Sequence, residues 1–114
     1  MALIDKIKKA RETQVVVDGF TLTIRRPTDL ELHDLKSTSA SSLIHAFVVG
    51  WHGVNEVDLI PGGSPILVDF DADVLVEWAA NKKIRWQSIT NEIWRVYADY
   101  KASVGENLGK PEAG

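Results

Sequence analysis

The chain contains no cysteine. That excludes a disulfide framework, a thiolate zinc site and a cysteine nucleophile together. It also lacks a basic excess: Lys and Arg number 13 against 16 for Asp and Glu, a formal net charge of −3. Proteins that live on a nucleic-acid backbone usually carry such an excess. No apolar run approaches the ~20 residues that a membrane span needs. The opening Met1-Ala-Leu-Ile-Asp-Lys-Ile-Lys-Lys is charged and amphipathic, without the apolar block and cleavage site of a signal peptide. What is present is ordinary globular composition, 45% hydrophobic and 25% charged over 114 residues. That length suits one core and is short for two. The expectation is a soluble intracellular protein with a single globular domain over residues 1–104. Gly105, Gly109, Pro111 and Gly114 predict a flexible tail over 105–114.

Periodicity places the elements. Leu3, Ile4, Ile7 and Ala10 recur at helical spacing, with Lys6, Lys8, Lys9 and Arg11 between them. Val15-Val16-Val17 then meets Phe20-Thr21-Leu22-Thr23-Ile24 across Asp18-Gly19. An Asp-Gly pair between such runs predicts a tight hairpin, because its turn needs positive φ. Phe20, Leu22 and Ile24 alternate with polar residues, so the hairpin Val15–Ile24 covers a core on one side. Pro27 opens a short acidic helix over Thr28 to Leu35. The serine-rich stretch 37–42 predicts a loop or an N-cap. The apolar run Leu43 to Trp51 follows, expected as a central buried helix. Residues 53–65, with three glycines and two prolines in Gly53, Pro61, Gly62, Gly63 and Pro65, read as a loop. Ile66-Leu67-Val68 reads as a short strand, and Asp69-Phe70-Asp71 opens a helix with Val74, Leu75 and Trp78 inward. A last helix runs from Ile84 to about Ala102. The fold class is α+β, mainly α: four to five helices with a small N-terminal hairpin.

Signals for chemistry are few. Asp69, Asp71 and Asp73 match the start of a calcium loop, but Val74 stands where glycine is needed and Ala80 where the bidentate glutamate is needed. Acids at a helix N-terminus account for them. His45 and His52 could share a helix face, yet Gly50 and Gly53 interrupt that helix and a zinc site needs three protein ligands. No Gly-x-Ser-x-Gly elbow and no phosphate loop is present. The expectation is no enzyme, no metal and no cofactor. The basic cluster around the first helix and the pair Arg25-Arg26 lack interleaved aromatics for base stacking, so solvated faces explain them better.

The tryptophans carry more. Trp86, Ile89, Ile93, Val96 and Tyr100 fall within about 80° of one another on a helix and predict a core stripe. Trp94 sits about 100° from Ile93, with Tyr97 and Lys101 nearby. Either Trp94 packs under a neighbouring helix or the tail, or Trp94, Tyr97 and Lys101 form a shoulder for another chain, since exposed aromatics are typical interface anchors. Leu3, Ile4 and Ile7 form a second candidate surface.

The order of these elements resembles a known family. A strand ending Arg25-Arg26-Pro27-Thr28 enters a helix. Later come Phe47-Val48-Val49-Gly50-Trp51-His52-Gly53-Val54, a Gly/Pro loop, Pro65-Ile66-Leu67-Val68-Asp69-Phe70-Asp71, and a final helix closing Tyr97-Ala98-Asp99-Tyr100. Over residues 15 to 102 this pattern resembles the tail assembly chaperones of long-tailed phages and prophages. Val49 to Val54 is its most specific piece. The resemblance implies a mainly helical binding protein without turnover. Such a protein keeps the tape measure protein soluble while the tail tube polymerises, with the major tail tube protein as a second partner and with self-association. It implies no nucleic acid and no membrane, a place in the cytoplasm of the bacterial host, and absence from the mature virion. In relatives a frameshift near the gene's end makes a longer form, and Gly109-Lys110 is compatible with a slippery codon pair. The resemblance carries no catalytic residues. The competing readings are a structural tail or head–tail connector component and a small DNA-binding regulator using Lys82, Lys83, Arg85, Arg95 and Lys101.

Overall fold

The computed structural model describes residues 2–113, with side chains described through residue 104. Among them are six helices and three strands, an α+β arrangement. The first helix, α1, spans Leu3–Lys9 and buries none of its residues. Strands β1 (Glu12–Val17) and β2 (Phe20–Arg25) form the expected hairpin, with longer arms. Asp18 and Gly19 turn it at φ 48° and 82°, the double positive φ that a type I′ turn requires. Val15 faces Leu22 and Val17 faces Phe20 across the ladder.

Helix α2 (Asp29–Asp34) starts with a capping box: Thr28 Oγ1 accepts from the Glu31 backbone N–H, and the Glu31 carboxylate accepts from that of Thr28. The same Glu31 carboxylate takes a 2.8 Å bond from Arg11 Nη1, which also donates to the Arg26 carbonyl. The open end of the hairpin is thereby tied to α2. Ser39 caps helix α3 (Ala40–Phe47), accepting from the Ser42 backbone N–H.

Here the structure departs from the expected single helix over Leu43 to Trp51. The helix stops at Phe47, and Val48–His52 form a third strand, β3, antiparallel to β2. The sheet order is β1-β2-β3. Thr23 pairs with Gly50 but Ile24 pairs with Val48, so Val49 is an extra, bulged residue. The bulge puts Val48 and Trp51 on the same buried face although they are three apart. In a helix the same spacing marks one face, which is why the run reads as helical. Gly50 is not a turn: it lies in the strand opposite Thr23, with room for a methyl group. Gly53, at φ 67°, makes the turn.

A one-turn helix, α4 (Glu56–Leu59), interrupts the expected loop, its start fixed by the Asp58 carboxylate accepting from the Asn55 backbone N–H. Leu67 makes an isolated bridge to Asn55 rather than part of a strand. Asp71 caps helix α5 (Ala72–Ala80), accepting from Asp73 and Val74 backbone N–H groups. Leu75 and Trp78 point inward as expected, whereas Val74 is 36% exposed. The last helix, α6, spans Lys83–Ala113 and continues past the expected end near Ala102. The flexible tail expected over 105–114 falls on side chains outside the described residues.

Helices α3, α5 and α6 pack on one another, and each meets part of the sheet. The core forms where they meet: Leu22 and Ile24 from β2, Leu43, Ile44 and Phe47 from α3, Leu75 and Ala79 from α5, Ile89 and Ile93 from α6. Trp51 is buried beside them, donates its indole N–H to the Val68 carbonyl at 2.9 Å, and meets Phe70 edge-on. Phe20 stacks on Trp78, and Arg85 lays its guanidinium 4.1 Å from the Trp78 ring centroid while binding Asp18 at 2.8 Å. Among the described residues no helix is long and apolar enough to cross a membrane.

Candidate functional site: an aromatic shoulder clasped to helix α2

The shoulder residues of α6 come together around a residue from elsewhere in the chain. Tyr97 donates its hydroxyl to Asp29 Oδ1 at 2.7 Å, and Lys101 Nζ donates to Asp29 Oδ2 at 2.9 Å. The two donors are four apart on α6 and share one face. Asp29 is the first residue of α2, one position after the Thr28 cap, and its carboxylate reaches across to α6.

Trp94 lies three residues before Tyr97 and meets it edge-on, with ring centroids 6.1 Å apart. The indole remains 39% exposed. Beyond the clasp, Arg26 lays its guanidinium 3.4 Å from the Tyr100 ring centroid. Tyr100 therefore belongs to this outer seam and not to the core stripe, where Ile89 and Ile93 are fully buried. Leu30, next to Asp29, is 67% exposed.

The electrostatics follow from the clasp. The hydrogen bond from Lys101, then that from Tyr97, hold the Asp29 carboxyl below the usual carboxylate range. The same carboxylate, as acceptor, raises the Tyr97 phenol and the Lys101 ammonium above their ordinary values. All three groups face solvent, so the clasp orients side chains more than it stabilises the fold.

Of the two surfaces expected from sequence, Trp94, Tyr97 and Lys101 assemble into one cluster. Leu3, Ile4 and Ile7 take no part in it: they line α1 and are 71%, 56% and 53% exposed. Asp29 is not among the expected residues, and the sequence reads Arg26 only as half of a solvated basic pair, whereas its guanidinium packs on the Tyr100 ring. Nothing local signals them, because their partners lie on the far helix.

The remaining candidates separate in space. His52, on β3, meets Gln14 and Thr23 on the open face of the sheet, while His45, on α3, meets Asp73 at 3.1 Å. Among the described residues no three His, Cys, Asp or Glu side chains gather as a metal site. The cations of α6 mostly face acids: Arg85 meets Asp18, Arg95 meets Glu92 and Asp99, and Lys101 meets Asp29. No family model matches the chain, and neither a curated protein nor a solved structure matches it.

Proposed function

We propose that this chain is a binding protein without turnover, a phage tail assembly chaperone that holds the tape measure protein soluble while the tail tube forms. The observation that carries the binding reading is Trp94: a large aromatic on a long helix, 39% exposed and flanked by a tyrosine that a carboxylate fixes in place. A pre-oriented aromatic loses little freedom on binding, which suits an interface anchor. The client's identity rests on the resemblance over residues 15 to 102. A long helical client exposes apolar stripes that aggregate, and a reversible chaperone covers them with modest affinity per site. Nucleic acid has no part in this reading, since the pairing of Arg85, Arg95 and Lys101 with carboxylates offsets the charge a phosphate backbone would seek.

Co-expression tests it. A tape measure protein co-expressed with this chain is expected to move from the pellet to the supernatant with the native chain and to stay in the pellet with Trp94→Asp. An equal yield of soluble client with and without the native chain overturns the reading. The structural-component alternative predicts this chain in purified tails, where a chaperone is absent.

A further inference from the structure

Helix α1 is too short to be stable alone. Isolated helices below about 12–15 residues are marginal in water, and α1 has seven residues, none buried. Its large apolar side chains, Leu3, Ile4 and Ile7, all lie open. At 100° per residue they fill an arc of about 100°, and Lys6 and Lys8 border that arc on its two sides, about 60° and 40° away. The helix is thus an apolar stripe with a cation along each edge.

Elsewhere the chain carries an apolar groove bordered by acids. Between α4 and α5 runs an open groove of about 350 Å³. Leu59, Ile60, Val74 and Trp78 give it an apolar lining; Asp73, which also meets His45 at 3.1 Å, and Glu77 stand along it one helical turn apart, with Asn81 a further turn on. Ile60 and Val74 are 57% and 36% exposed. The α5 side of the groove extends over about two turns, roughly 12 Å, and α1 is about 10 Å long. The occupant the groove fits is therefore short, helical, apolar on one face and basic at its margin.

We infer that the α4–α5 groove receives helix α1 of a second copy of this chain, with Leu3, Ile4 and Ile7 against the apolar lining and a flanking lysine facing Asp73 and Glu77. Helix-in-groove docking uses this i, i+3, i+4 pattern of anchors. Charge complementarity sets orientation and partner choice. The inference does not rest on the chaperone reading, because both halves of the contact lie on this chain and neither includes Trp94, Tyr97 or Lys101.

Sedimentation velocity on the full chain, from low micromolar to about 100 μM, reads the association directly. The native chain is expected to self-associate. Ile4→Asp with Ile7→Asp, at exposed positions, should leave the circular dichroism of the fold in place and weaken association at least about tenfold. Reversing the lysines (Lys6→Glu, Lys8→Glu) should weaken it, as should reversing the groove (Asp73→Lys, Glu77→Lys); mixing the two reversed chains should restore a heteromeric complex. The absence of cysteine permits a second readout. Single variants Ile7→Cys and Val74→Cys, mixed under oxidation, should cross-link to each other faster than either does to itself. A native chain that stays monomeric at the highest concentration overturns the inference, even if α1 then proves to bind the tape measure protein. So does self-association that survives either charge reversal, or cross-linking between the two thiol variants no faster than within each one. Client solubilisation is scored separately with Trp94→Asp, so the two readings fail independently.

Discussion

Asp29 accepts a hydrogen bond from Tyr97, 68 positions away in the sequence, and with it joins the second helix to the last. Lys101 completes the clasp on the other carboxylate oxygen. The three groups tie their geometry to pH from both ends. Asp29 is held below its ordinary range, so its contribution is fully present above that range and is lost as pH falls through the lowered value. Tyr97 and Lys101 are raised, so theirs is present below their ordinary values and lost as pH rises through the raised ones. The clasp is complete across the neutral range. Nuclear magnetic resonance of the Tyr97 ring and the Lys101 side chain should report this window. In Asp29→Asn both alkaline titrations should move down toward ordinary values; unchanged titrations would place Asp29 outside the cluster in solution.

Trp51→Ala is expected to cost about 3–5 kcal/mol, as for other buried aromatics. Trp51 is 8% exposed and also bonds the Val68 carbonyl. Trp51→Phe keeps most of the packing and loses that bond, with an expected cost nearer about 1–2 kcal/mol. Urea unfolding of both variants gives the order. An Ala variant within about half a kcal/mol of native would place Trp51 on the surface.

Trp94→Asp separates binding from folding. With 39% of the residue already in water, the variant should keep the fold, with a native-like far-ultraviolet spectrum, and lose client solubilisation. An insoluble or unfolded variant would make Trp94 a structural residue and remove the shoulder as a binding surface.

Gly19→Ala isolates a backbone effect. Gly19 sits at φ 82°, and nothing lies within 4 Å of where a Cβ would stand. The cost is then conformational alone, about 1–2 kcal/mol. It should appear in the unfolding midpoint with an unchanged denaturant slope, since no exposed area changes.

Local chemistry made part of this fold legible. Asp18-Gly19 between β-branched runs specified the hairpin, the serine-rich stretch 37–42 and the Asp69-Phe70-Asp71 segment pointed to the starts of α3 and α5, and the isoleucines of α6 marked its buried stripe. The third strand was hidden by its own bulge. With Val49 extruded, Val48 and Trp51 share a face at a spacing of three, so the period that identifies strands is absent where it would have counted. The shoulder was readable from Trp94 and Tyr97 on one helix. Its anchor was not, because Asp29 looks like any acid in a first turn, and its role depends on a helix that arrives from the far end of the chain.

Phe47 ends a helix and Val48 begins a strand with no residue between them. The chain has no slack at that join. One inserted codon would either rotate the helix's buried side by about 100° or send every strand residue to the opposite face. The exposed Pro61-Gly62 segment can take extra length without disturbing either period. A library of single-codon insertions should therefore map the chain into a rigid stretch centred on 47–48 and an elastic one near 61–62. The spacing from Ser39 to Trp51 would then be inherited more strictly than the identity of most residues within it.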